Sequence, residues 1–123
     1  MAKLLIVDDD PGVLYFIQNM FQANGYEVVI ARNGEEAIES VKTDMVDLVV
    51  TDLRMPRMDG MELLRELKSA LAPSLPVIML TAYTSDETAL EAKKLGAFAY
   101  MAKPFDVAAL LDVVKRALSA EEK

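Results

Sequence analysis

The 123-residue chain predicts an α/β domain: one five-stranded parallel sheet with helices packed on both faces. Three observations predict it. Five short apolar runs rich in Val, Ile and Leu recur along the chain, the pattern of strands buried on both faces. Between them lie segments whose apolar residues fall at helical spacing. Asp-Pro, Asn-Gly and isolated Gly or Pro residues punctuate the joins. Strict alternation of strand and helix requires right-handed crossovers.

Lys3 to Asp8 reads as the first strand, ending in acid. Asp10-Pro11 starts a helix, with aspartate at the N-cap and proline at the first helical position. Val13, Leu14, Ile17, Met20 and Phe21 share one face of it, and Asn24-Gly25 stops it in a left-handed turn. Glu27 to Ala31 is the second strand. Asn33-Gly34 opens a second helix with Ala37, Ile38 and Val41 facing inward. The third strand is Leu48 to Asp52. Met55-Pro56 then forces the chain extended, and Asp59-Gly60 turns it and caps a helix over about Met61 to Lys68. Pro73 and Pro76 bracket a loop before the fourth strand, Val77 to Thr81. A fourth helix over about 85–95 has a thin apolar face, chiefly Ala89, Ala92 and Leu95, and ends at Gly96. Phe98 to Ala102 is a shorter fifth strand. After Lys103-Pro104, Asp106 starts a last helix with Val107, Leu110, Leu111, Val114 and Leu118 as its stripe.

Composition narrows the chemistry. At 13.6 kDa and 53% hydrophobic residues, the chain suits one packed domain over residues 1–123. No apolar run approaches the ~20 residues of a membrane span. Met1-Ala2-Lys3 leads straight into a strand without a secretory signal, so a cytoplasmic location is expected. The absence of cysteine excludes disulfides and thiolate metal sites. The absence of histidine removes the commonest general base and any histidine-ligated metal. Net charge is −7: residues 1–52 carry ten acids and three bases, residues 53–123 ten of each. An acid excess confined to the first half argues against direct nucleic-acid binding by this chain.

The strands of a parallel sheet end on one edge, where such sheets bind ligands. Four of the five expected strands put a polar group there: Asp8 with Asp9, Asp52, Thr81, and Lys103 just past the fifth. Taken singly, each has a plainer reading. Asp10 is an N-cap, Asp8 and Asp9 solvated loop acids, Asp52 a turn cap, Thr81 a strand end and Lys103 a surface lysine. Taken together they point to a site. With strands one and three adjacent, three carboxylates converge and repel unless a cation intervenes. Oxygen ligands without His or Cys select a hard ion, Mg²⁺ or Mn²⁺.

The motifs LIVDDD (residues 5–10), TDLRMPRMDG (51–60), VIMLTA (77–82) and YMAKPF (100–105) carry a specific resemblance. Over essentially its whole length the chain resembles the receiver domain of two-component response regulators, the chemotaxis-type phosphoacceptor fold. The resemblance implies a flavodoxin-like, doubly wound (βα)5 sandwich with strand order 2-1-3-4-5, an order carried over from the family. It implies that Asp52 is the phosphorylated nucleophile and that Asp8, Asp9 and Asp52 hold Mg²⁺, with Asp9 the principal direct ligand of the first pair. The Arg54 backbone carbonyl completes the protein ligands. Thr81 and Lys103 would bind phosphoryl oxygens, Tyr100 would be the switch aromatic, and Lys103-Pro104 would be cis. Arg54 and Tyr83, each two residues past a site residue, would overhang the phosphoryl group and lengthen its lifetime, while small Ala82 leaves it room.

These roles fit the composition. Aspartate is ionised at pH 7, so the nucleophile needs no general base, and the activating histidine belongs to a partner kinase or phosphotransfer protein. Such a domain is a signalling module rather than a classical enzyme. Its fourth helix, fifth strand and fifth helix would meet an output domain or downstream protein. That face carries both charge signs, including Glu91, Lys94, Asp112 and Arg116. The mixture suits homodimerisation on phosphorylation and equally an ordinary solvated surface. Two other readings compete. A Mg²⁺-dependent phosphatase or phosphotransferase would want an acid two residues past the nucleophile, where this chain has Arg54. A phosphate-independent binding module would not need the full acid, hydroxyl and lysine set.

Overall fold

A computed structural model describes residues 1–121. Five strands, β1 (Lys3–Val7), β2 (Glu27–Ala31), β3 (Leu48–Thr51), β4 (Val77–Thr81) and β5 (Ala99–Ala102), alternate with five helices. The helices are α1 (Pro11–Ala23), α2 (Gly34–Asp44), α3 (Gly60–Glu66), α4 (Asp86–Lys94) and α5 (Val107–Glu121). The sheet is parallel throughout, in the order β2-β1-β3-β4-β5. This is the flavodoxin-like (βα)5 sandwich that the sequence leads one to expect.

Side chains alternate across the pleat and divide the core in two. Leu5, Val7, Val49, Val77 and Met79 face α2, α3 and α4, where Ala37, Leu63, Leu64, Leu67 and Ala92 meet them. Leu4, Ile6, Leu48, Val50, Ile78 and Leu80 face α1 and α5, against Leu14, Ile17, Phe21, Leu110 and Val114. Because β1, β3 and β4 are buried on both faces, their only polar outlets are their ends.

The punctuation acts as expected. The Asp10 carboxylate accepts from the Gly12 and Val13 amides with Pro11 at the first helical position, and Asn33 caps α2. Asp59 and Glu62 form a reciprocal capping box at the start of α3. Gly25 and Gly96 take φ of 89° and 98°, the left-handed turns that end α1 and α4. The Lys103-Pro104 peptide is cis, as the resemblance implied.

Four expectations need correction. β1 and β3 stop at Val7 and Thr51, one residue early, so Asp8 and Asp52 stand just beyond the strands. The third helix runs past Lys68 in a π-helical turn, Leu67–Leu71, closed by the Ala72 amide on the Leu67 carbonyl at 2.9 Å. That turn keeps Leu71 packed against the core. β5 begins at Ala99 rather than Phe98, which is 40% exposed. Val107 lies outside the buried stripe of α5, which instead runs Leu110, Val113, Val114 and Ala117 at helical spacing. The thin face of α4 is as expected: only Ala92 is buried. Among the described residues, no helix is long and apolar enough to cross a membrane.

Candidate functional site

Register builds the site. Val7 pairs with Thr51 across β1 and β3, and the Asp52 amide donates to the Val7 carbonyl at 2.9 Å. Asp8 and Asp52 therefore leave adjacent strands at the same height. Thr81 pairs with Ala102, and the Lys103 amide donates to the Thr81 carbonyl at 2.9 Å, bringing lysine to the same edge. One carboxylate oxygen each of Asp8, Asp9 and Asp52 lies within 4.8 Å of the others. This is the acidic cluster the sequence led to, an all-oxygen set suited to a hard divalent cation.

The two buried acids differ in their partners. Asp8 is 3% exposed; its Oδ1 accepts from the Asp10 amide at 3.0 Å, and its Oδ2 pairs with Lys103 Nζ at 2.5 Å. Asp52 is 7% exposed; its Oδ1 accepts from the Leu53 amide at 2.8 Å, and its Oδ2 lies 3.7 Å from Lys103 Nζ. Asp9 is exposed, and its carboxylate makes no hydrogen bond or ion pair with the described residues. Both Asp8 oxygens are engaged and those of Asp9 are open, so Asp9 offers a cation the less obstructed ligand.

Burial pushes the Asp52 carboxyl above its ordinary value. Lys103 pulls it down, Asp8 pushes it up, and the Leu53 amide and Thr81 hydroxyl pull it down more weakly.

A cavity of about 550 Å³ opens above the acids, lined by Asp8, Asp9, Asp52, Arg54, Tyr83 and Lys103 among others. The Arg54 guanidinium stacks over the Tyr83 ring, 4.7 Å from its centroid, so the two overhanging residues form one cover. Thr81 is fully buried beneath, and its hydroxyl accepts from the Tyr83 amide at 3.0 Å. Tyr100 stands apart from this cavity. Its hydroxyl is 2.5 Å from that of Thr88 on α4 and donates to the Tyr83 carbonyl at 3.5 Å. On the α4, β5 and α5 face, three of the charges are already paired within the chain, Glu91 with Arg65 of α3 at 3.5 Å and Asp112 with Arg116 at 3.0 Å.

Sequence reasoning missed several supporting residues. The Thr51 hydroxyl donates to the Asp52 carbonyl at 2.9 Å. Gly60 sits where a Cβ would fall 2.1 Å from that same carbonyl oxygen. Thr88 partners Tyr100. Thr51, next to Asp52, was the one available signal, and a strand-end role accounts for it equally well from sequence; Thr88 lies twelve residues before Tyr100 and gave none.

Fold and site together define a doubly wound domain with an acid cluster and a lysine at the carboxyl edge of its sheet. Residues 4–115 match the response regulator receiver domain family, and the chain belongs to it. It is 43% identical over 116 residues to transcriptional regulatory protein ZraR of Escherichia coli K12, covering 94% of this chain and 26% of that protein. It is likewise 43% identical over 117 residues to transcriptional regulatory protein GlrR of the same organism, covering 95% and 26%. The crystal structure of a CheY-like receiver domain protein from Methanospirillum hungatei superimposes with a TM-score of 0.94 at 34% identity, covering 99% of this chain and 97% of that one. The chain spans about a quarter of the length of the curated relatives it matches.

Proposed function

We propose that residues 1–123 act as one receiver unit that accepts a phosphoryl group on Asp52 from a sensor histidine kinase or phosphotransfer protein, in a Mg²⁺-dependent reaction in the cytoplasm. The observation that carries this reading is the convergence of Asp8, Asp9 and Asp52 within 4.8 Å, with Lys103 Nζ 3.7 Å from the Asp52 carboxylate. An Asp52 oxygen forms the new bond to phosphorus as the donor's phosphorus–nitrogen bond breaks, and the electron pair leaves on the donor imidazole. Transfer passes through a loose transition state whose charge spreads over three equatorial oxygens, so catalysis is positioning and electrostatics. Bound at Asp8, Asp9, Asp52 and the Arg54 carbonyl, Mg²⁺ would supply positive charge to those oxygens. Lys103 supplies the ammonium, held at the edge by its pair with Asp8. Thr81 donates its hydroxyl proton to another oxygen, a donor left free by the bond its oxygen accepts from the Tyr83 amide. The stacked Arg54 and Tyr83 hinder an attacking water and set the phosphoryl lifetime.

On this reading, drawing Thr81 inward frees Tyr100 to move, and the weakly packed α4 with β5 and α5 carries the change to an output domain, a downstream protein or a second copy. The likeness to ZraR and GlrR supports a transcriptional output. The expectation of no nucleic-acid contact is accordingly narrowed to this domain; DNA contact belongs to the output.

Intact mass after incubation with a small phosphodonor tests the reading. Wild type with Mg²⁺ should gain one labile phosphoryl group, lost with chelator and with Asp52→Asn. No gain in any condition would overturn it in favour of phosphate-independent binding.

A further inference from the structure

The nucleophile is followed by one peptide plane that is gripped at both ends. The Asp52 carbonyl accepts from Thr51 Oγ1 at 2.9 Å, and the Leu53 N–H in the same plane donates to Asp52 Oδ1 at 2.8 Å. A peptide group is rigid, so tilting its carbonyl end swings its N–H end. Whatever fixes the carbonyl therefore fixes the donor that selects the Asp52 carboxylate rotamer.

From this geometry we infer that Thr51 is a positioning residue for Asp52, acting through the Asp52–Leu53 peptide plane; the inference rests on the phosphoacceptor reading of Asp52. Three features make the grip effective. Thr51 is fully buried, so water does not compete for its hydroxyl. Its β-branched side chain is stiff at χ1. The same carbonyl packs tightly on Gly60, where any Cβ would stand 2.1 Å from the Asp52 carbonyl oxygen and 3.0 Å from its carbon. Gly60 in turn donates its amide to the Leu53 carbonyl at 2.8 Å. The plane thus has a hydrogen bond from the strand before it and a backbone wall from the helix after it. The Leu53 amide at the far end of that plane holds the carboxylate in orientation at Oδ1. That leaves Oδ2 as the oxygen facing Lys103 and the cavity.

The test compares Thr51→Val, which keeps the branched shape and removes the hydroxyl, with Thr51→Ser, which keeps the hydroxyl. The first readout is the Leu53 amide in ¹⁵N NMR of the unphosphorylated protein, with thermal unfolding as a check of folding. Thr51→Val should move the Leu53 amide proton upfield and speed its exchange, and should slow Asp52 phosphorylation by a small phosphodonor about tenfold, within the range known for a displaced reacting group. Thr51→Ser should restore both. An unchanged Leu53 amide and rate in Thr51→Val would overturn the inference, as would equal losses in Val and Ser, which would mark mere packing. If wild type takes up no phosphoryl group, the phosphoacceptor reading fails, and with it the positioning role. The Leu53 comparison would still report whether the hydroxyl grips the plane.

Discussion

Replacing Asp52 with asparagine should make the metal-free domain more stable. Asp52 sits with two other carboxylates and shares one lysine with Asp8. At an effective dielectric of about 20, attraction to Lys103 at 3.7 Å is about 4.5 kcal/mol, and repulsion from one carboxylate no more than 4.8 Å away is at least about 3.5 kcal/mol. The second carboxylate, on exposed Asp9, is partly screened. These terms nearly cancel, so desolvation of a group 7% exposed decides the sign, and it is unfavourable. Asparagine keeps an Oδ1 for the Leu53 amide and leaves Lys103 on Asp8. The expected gain is about 1–2 kcal/mol, the usual scale for relieving a functional site, or roughly 3–6 °C in Tm. The pH dependence has a definite sign. An acid whose folded-state pKa is raised costs nothing while both states are protonated. The cost grows as pH rises through the unfolded value near 3.8 and is complete above the folded one. Calorimetry in chelator should therefore show Asp52→Asn melting above wild type at about pH 7, with the gap closing towards about pH 4. A variant that melts at or below wild type near neutrality, or a gap indifferent to pH, would refute the reasoning.

Two further outcomes follow from the same geometry. Lys103→Met removes the ammonium between Asp8 and Asp52 and should slow phosphorylation by about 10²-fold, the scale for losing one preorganised donor; phosphodonor kinetics within twofold of wild type would contradict it. Arg54→Ala and Tyr83→Ala should each shorten the phosphoryl lifetime. Because the two stack at 4.7 Å, the double variant should lose less than the two singles combined, by about two- to fivefold. Independent effects in that double-mutant cycle of dephosphorylation rates would argue against a shared cover.

The sheet was legible because a strand buried on both faces has a signature that little else imitates: VIMLT and LVV admit no polar face. Boundaries were less legible for a physical reason. Asp8 and Asp52 continue the apolar runs in sequence and each still donates its amide to the neighbouring strand, but there the chain leaves the sheet for the loops to Pro11 and Gly60. The π-helical turn at Leu67–Leu71 was hidden because a one-residue shift in hydrogen bonding leaves the composition unchanged. Val107 was misplaced because the first turn of a helix can point past the core it later joins. At the site, charged residues announced themselves by occurring in apolar surroundings. Thr51 did not: a threonine at a strand end is ordinary, and only the distance from its hydroxyl to the next residue's carbonyl distinguishes it.

Tyr83 is where the site and the α4 face meet. Its amide is on Thr81 Oγ1 at 3.0 Å, its ring lies under Arg54, and its carbonyl receives the Tyr100 hydroxyl at 3.5 Å. On the phosphoacceptor reading, a phosphoryl oxygen at Asp52 would accept from the Thr81 hydroxyl, and drawing that hydroxyl inward would stretch the bond it accepts from the Tyr83 amide, worth about 1 kcal/mol. The long contact to the Tyr83 carbonyl is weak, whereas the 2.5 Å contact with Thr88 is close. The hold on Tyr100 thus lies mainly with α4, a helix in which only Ala92 is buried. A small change at Thr81 would loosen Tyr83 and Arg54 together, and the remaining resistance would be a hydroxyl pair on a lightly anchored helix. Phosphoryl lifetime and output would then be tied through Tyr83, which carries the Arg54 stack on its ring and the Tyr100 hydroxyl on its carbonyl.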